Sequence, residues 1–477
     1  MLFRSDHYRA LATAQPEAFT PDLAGSLNNM SIRLADLGRR EKALAAITEA
    51  VQLRRALATA RPDSFTPDLA TSLNNLSNRL AALGRREEAL AAITEAVQLR
   101  RALAAAQPEA FTPNLAASLN NLSNGLAGLG RHEEALAAIT EAVQLRRALA
   151  AARPDAFTAD LAMSLNNLTG GLADLGRHEE ALTAITEATD LSRALAAARP
   201  EAFAPDLAGS LNNLSNELAD LGRHEEALTT ITEATDLYRA LAAARPEEFT
   251  PDLARSLNNL SNGLADLGRH EEALTVITEA VQLRRALAAA RPEAFTPDLA
   301  RSLNNLSNRL ADLGRREEAL TAIIEATDLY RALATVRPDA FTSDLATSLN
   351  NLSNGLAALG HREEALTAIT EAVQLRRALA DAQPDAFTPD LAQSLVRLGI
   401  YLSALSQHVA ARDADEEAAT LYVRLAAELD HFEEAATRAL KNLAIDLREL
   451  GMPPDEITKY LERVIRDAGD GPRRSAG

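Results

Sequence analysis

Cysteine is absent from the 477 residues, and with it go disulfides, thiolate nucleophiles and sulfur-ligated metals. Tryptophan is absent as well, and aromatic residues make up only 4% of the chain although 47% of it is hydrophobic. A compact enzyme of this length usually surrounds its pocket with bulkier side chains, whereas an excess of Ala and Leu suits helices that approach one another closely. The hydrophobic share is large enough to bury a sizeable core, which speaks against disorder. No apolar run reaches membrane-spanning length, and the opening residues MLFRSDHYRALATAQPEAFT lack the apolar stretch of a signal peptide. A cytoplasmic protein follows from this reading, and the lack of cysteine is compatible with a reducing compartment. The formal net charge of −18 disfavours nucleic acid and anionic membrane surfaces, because binding to phosphates depends on a basic footprint.

What the chain has in abundance is repetition. The stretch SLNNLSN or a near copy begins at Ser26, Ser72, Ser118, Ser164, Ser210, Ser256, Ser302 and Ser348, with a weaker copy at Ser394, and the spacing is 46 residues throughout. Constant spacing without insertions requires each unit to present the same shape to its neighbours, which predicts a solenoid.

Residues 62–107 serve as the specimen unit. FTPDLA reads as a helix start, with Thr66 at the N-cap, Pro67 at the first helical position and Asp68 facing the positive end of the dipole. Leu69, Leu73, Leu76, Leu80 and Leu83 then lie on one stripe of a helix of about four turns, which Gly84 ends. Glu87 and Glu88 open a second helix whose buried stripe is Ala89, Ile93, Ala96, Val97 and Leu103, and Pro108 closes it. Phenylalanine recurs between units, from Phe19 and Phe65 to Phe387, as an expected plug between successive hairpins.

LGRREEALAAITEA, residues 83–96, resembles the core of a tetratricopeptide repeat. On that pattern Gly84 is the turn glycine, Ala89 and Ala96 are the small residues at helix contacts, and Ile93 fills the large position between them. Leu73 stands where the family often has Trp, and Leu80 where it often has Tyr. The unit is longer than the usual ~34 residues, and no proline follows Ala96 closely, so the second helix should run on for two more turns. Longer units with this kind of first helix are similar to the kinesin light chain type. The resemblance implies an all-α fold, a right-handed α-solenoid of antiparallel helix hairpins. Residues 1–15 read as the second-helix half of a partial repeat, 16–389 as eight tandem hairpins, 390–468 as two degenerate hairpins forming a C-terminal cap, and 469–477 as a disordered tail.

The paired asparagines, poor helix formers inside a leucine-rich helix, need a reason. At 100° per residue, Asn74 and Asn78 fall opposite the leucine stripe and one turn apart. In the tetratricopeptide family these positions line the concave groove, so the resemblance implies that Asn28, Asn74, Asn120, Asn166, Asn212, Asn258, Asn304 and Asn350 look into it. The same is implied for Asn78, Asn124, Asn216, Asn262, Asn308 and Asn354. A primary amide carries a donor and an acceptor that match a peptide main chain, so such a ladder could hold an extended partner segment. The groove resembles that of the protein O-glycosyltransferase repeats. The competing reading is structural: duplication copies an Asn whether or not it binds, and Asn75 with its equivalents is the better placed to clip adjacent helices. Met163, Arg255 and Arg301, just ahead of the motif, are candidates for groove specificity; the arginines would clamp a carboxylate or phosphate, or else are simply solvated.

Catalytic signatures do not emerge. RHEEAL places one His per unit at His132, His178, His224 and His270, where a zinc motif of this kind needs two on one helix face. No phosphate loop or nucleophile elbow is present, and neither cofactor nor metal is expected. Two functions stay open: a non-catalytic protein–protein interaction scaffold that binds an extended peptide, or the sensor arm of a larger signalling protein of the STAND ATPase or CHAT protease type, which the mid-unit start suggests. RNA binding is disfavoured by charge and by the shortage of stacking aromatics.

Overall fold

A computed structural model describes residues 2–429 and 432–469, which form 21 α-helices and no strand. Helix α1 (Leu2–Ala14) precedes an alternating series. The first helices of the hairpins are α2 (Pro16–Asp36), α4 (Pro62–Ala81), α6 (Pro108–Ala127), α8 (Pro154–Ala173), α10 (Pro200–Asp220), α12 (Pro246–Asp266), α14 (Pro292–Asp312), α16 (Pro338–Ala358) and α18 (Pro384–Ala404). The second helices are α3 (Arg40–Ala60), α5 (Arg86–Ala106), α7 (His132–Ala152), α9 (His178–Ala198), α11 (His224–Ala244), α13 (His270–Ala290), α15 (Arg316–Val336), α17 (Arg362–Ala382) and α19 (His408–Glu428). A last pair, α20 (Glu433–Glu449) and α21 (Pro454–Gly469), ends the described part; the tail expected from 469 lies, after Gly469, outside the described residues. The helices group into two compact units that divide within α11, between Leu241 and Ala242.

Within each unit a second helix packs against its own first helix and against the first helix of the next hairpin, as α5 does against α4 and α6 and α15 does against α14 and α16. Small residues permit this closeness: Ala43, Ala50, Ala70, Ala96 and Ala116 are wholly buried between helices. Ile93 and Leu73 fill the space between them, and Val51 and Ala58 of the preceding hairpin close the same cluster. Burying a Leu or Ile side chain contributes roughly 1.5–3 kcal/mol, and a buried isoleucine recurs at this position from Ile47 to Ile369, so cohesion is nearest-neighbour. Successive first helices also touch one another in several places, as α4 does α6 and α14 does α16, and in the last hairpins α19 packs on α21.

The hairpin turn is a helix C-terminus in the left-handed region. Gly130 has φ 74°, its N–H reaches Ala127 O at 2.9 Å, and Arg131 N–H reaches back to Leu126 O at 3.0 Å, closing the orphan carbonyls of α6. A Cβ on Gly130 would meet nothing within 4 Å, so Gly130→Ala should cost only the conformational penalty, about 1 kcal/mol, read as a shift in the urea midpoint.

The first helices begin earlier than the sequence pattern suggests. Helix α4 starts at Pro62, with Arg61 extended before it, so Thr66 is no cap: its hydroxyl donates to Pro62 O at 2.7 Å. Pro67 consequently lies inside the helix, near enough to the end that a single backbone bond is lost. The two helices without it carry Ala159 and Ser343 there. The early start carries Phe65 on the helix itself, where it packs beside Val51 and Ala58 between hairpins, with the Arg61 guanidinium 4.8 Å from the ring centre.

Candidate interaction surface

The motif SLNNLSN resolves into a polar node between hairpins. Arg54 of α3 donates to Ser72 Oγ at 2.6 Å and to Asp68 O at 2.9 Å, both on α4. Ser72 Oγ in turn donates to Asn28 Oδ1 of α2 at 3.1 Å, and Asn75 Nδ2 donates to the same oxygen at 3.1 Å. One buried amide thus ties three helices from two hairpins. The node returns with Arg100, Ser118, Asn121 and Asn74, and with Arg146, Ser164 and Asn120. Burial among neutral partners pulls the Arg100 guanidinium down to about 10, still charged at neutral pH. Substitutions at the arginine position rewire the node. With Ser192 there, Asn166 Nδ2 donates to Ser210 Oγ at 2.9 Å. With Tyr330 there, Ser348 pairs with Thr327 at 2.9 Å and Asn304 Oδ1 is left without a partner.

This placement corrects the expected orientation of the first asparagine series. Asn28, Asn120, Asn212, Asn258, Asn304 and Asn350 are buried, and Asn74 and Asn166 are half-buried with their amides engaged across the hairpin interface. A helical wheel treats one helix alone, but a first helix such as α4 or α6 has a neighbour on both flanks. Asn74 lies on the flank toward α6 and Asn75 on the flank toward α2, so both belong to the clip. Only a narrow strip opposite the leucines is left uncovered. Asn78, Asn124 and Asn216 are exposed on it. Asn262 and Asn308 are half-buried, and so is Asn354, which accepts from Tyr401 at 3.0 Å and from Arg397.

The specificity candidates also lie on this strip. Met163 is 48% exposed, a large apolar side chain offered to solvent. Arg255 and Arg301 are exposed, but each is paired with a carboxylate of its own helix, Asp252 at 2.7 Å and Asp298 at 3.6 Å, so they do not form a bare cationic clamp. On the other side of the hairpins, exposed pairs link successive second helices, among them Arg55 with Glu95, Arg101 with Glu141, and Arg147 with Glu187, all at 2.6 Å. Such pairs contribute roughly 0–1 kcal/mol each and chiefly keep register.

Seven stretches of the chain, 23–58, 69–106, 115–152, 207–242, 253–289, 299–334 and 345–385, match the tetratricopeptide repeat, together more than half its length. The chain belongs to the tetratricopeptide repeat family. Residues 153–196 match a further family, anaphase-promoting complex subunit 5. Among solved structures it is similar to BtubC (BKLC) from P. vanneervenii, at 18% identity, TM-score 0.40, covering 53% of this chain and 96% of that one. It is also similar to nearly identical TPR-like repeats of kinesin light chain type from Podosopora anserina, at 18% identity, TM-score 0.35, covering 47% and 98%. A third is a STAND protein with a tetratricopeptide repeat sensor from Pyrococcus horikoshii, at 13% identity, TM-score 0.48, covering 79% of this chain and 52% of that one. Among curated proteins, none matches the chain.

Beyond the shared repeat, two polar clusters escaped the sequence reading. At the turn end, His132 Nδ1 lies 3.3 Å from Asp174 of the next tetratricopeptide hairpin, and His270 lies 3.8 Å from Asp312. Where arginine replaces the histidine, at Arg86 and Arg316, the partner is a backbone carbonyl, Gly128 O and Ala358 O. From α3 to α17, His thus goes with Asp, and Arg with Gly or Ala, 42 residues on. His178 has a further acidic neighbour: its Nδ1 is 3.3 Å from Glu217, and Asp220, 42 residues on, completes a group of three. The second cluster lies in the last hairpins, where Asp415 takes the position of the buried isoleucines. Asp415 and Asp446 are both 1% exposed, and His408 reaches Asp446 at 3.3 Å. Burial, then the bond and charge of Asp446, push the Asp415 carboxyl up to about 8. Gly399 stands where other repeats have Ser or Thr, since a Cβ there would collide with the Asp415 carboxylate. Aligning the units column by column would have exposed Glu217 and Asp415 as departures from their repeats.

Proposed function

We propose that the chain is a non-catalytic scaffold that holds an extended segment of a protein partner across its first helices. Tetratricopeptide repeats generally bind protein partners. The observation that carries the finer reading is the exposed strip itself: Asn78, Asn124 and Asn216 stand at equivalent positions on α4, α6 and α10, with Thr71 and Met163 beside them. Packed helices lie about 8–10 Å apart and an extended chain advances about 3.3 Å per residue, so amides on adjacent first helices would meet roughly every third residue of a ligand. Each could accept from one main-chain N–H and donate to one C=O without reading side chains; Met163 would then select for an apolar side chain. The Asn74 series serves this role indirectly, by holding the first helices in register.

The test is selection of binding peptides from a displayed random library against the full chain, followed by affinity measurement on Asn78→Ala/Asn124→Ala. The double variant should lose at least tenfold in affinity with unchanged helicity by circular dichroism. Unchanged affinity for every selected peptide would remove the strip from consideration.

A further inference from the structure

We infer that His178, Glu217 and Asp220 form a site for one divalent transition-metal ion of the zinc class, clamping α9 to α10. One ligand atom from each of the three lies within 4.8 Å of the others. The separation of His178 Nδ1 and Glu217 Oε2 is 3.3 Å, and two ligands of a tetrahedral zinc at 2.0–2.1 Å are themselves about 3.3 Å apart. Glu217 and Asp220 are one turn apart on α10 and so share a face, while His178 is the first residue of α9. One imidazole and two carboxylates neutralise a dication, and the exposure of Asp220 leaves a coordination position for water.

A further observation points the same way. Glu217 is the departure in its column: the same position holds Arg33, Arg79, Gly125, Gly171, Gly263, Arg309 and Gly355 in other units. A chain that otherwise copies itself has placed a carboxylate, 6% exposed, at one hairpin interface, opposite a histidine and beside a second carboxylate. The sister pairs His132–Asp174 and His270–Asp312 have Gly171 and Arg309 in place of the third ligand and serve as internal controls.

The experiment is titration of Zn2+ into the chelator-treated full chain by calorimetry, with Co2+ absorption as a second readout of coordination. The wild-type chain should take up one more equivalent than Glu217→Gly, which restores the residue of the sister repeats, and than Glu217→Gln, which keeps the volume. Its melting temperature should rise with Zn2+ and those of both variants should not. Uptake should weaken as pH falls, because the ligands must shed protons. Equal stoichiometry in the wild-type chain and both variants, or no uptake by any of them, would overturn the assignment.

Discussion

Asp415→Asn is expected to flatten the pH dependence of stability in the last hairpins and to stabilise them at alkaline pH. The native carboxyl sits at about 8, against about 3.9 in an unfolded chain. Between those values the native state holds a proton that the unfolded state has released. Stability from this group is therefore fully present below about pH 4 and is lost as pH rises to about 8, by an amount on the order of 5 kcal/mol. Above that range Asp415 is ionised and faces the Asp446 carboxyl in a nearly dry interface, with the His408 ring 3.3 Å from Asp446. Asparagine mimics the protonated acid, keeps a donor toward Asp446 and has nothing to lose. Hydrogen exchange in α18–α21 at pH 5 and pH 8.5 measures the effect. A variant whose protection falls with pH as steeply as the wild type would show that Asp415 is not the titrating group.

Ser118→Val should destabilise the junction of the second and third hairpins by about 2–6 kcal/mol. The hydroxyl of Ser118 is wholly buried, accepts from Arg100 and donates to Asn74 Oδ1 at 3.2 Å. Valine deprives a buried guanidinium of one acceptor, worth about 1–3 kcal/mol, and forces an extra methyl into a packed space, worth about 1–3 kcal/mol more. Ser118→Ala, without the added bulk, should cost less than half as much. Arg100→Met in the Ser118→Val background should cost much less than on its own, because the two side chains act as one unit. Urea unfolding of the four-member cycle measures the coupling, and strict additivity would mean that the node contributes nothing as a network. In a solenoid the loss is local, so protection of α5 and α6 should fall first while α12–α16 keep theirs.

Much of this molecule can be read from one dimension. The 46-residue period, the leucine and alanine stripes and the turn glycines follow from residue spacing, because helices pack through periodic faces and each hairpin touches only its neighbours. Start signals were less legible: Pro62 and Pro67 both suit a first helical position, and burial of Phe65 beside the preceding hairpin settles the choice. What needed the folded chain was the meaning of side chains that meet across repeats. Asn28 and Asn75 are 47 residues apart in sequence and 3.1 Å apart in space, as Glu217 is 3.3 Å from His178. A wheel drawn for a single helix places Asn74 away from the leucines but is blind to the neighbour that covers its flank. Hydrogen bonds act over a few ångströms and report position in three dimensions, so which amides seal the hairpins and which face solvent was decided by packing alone.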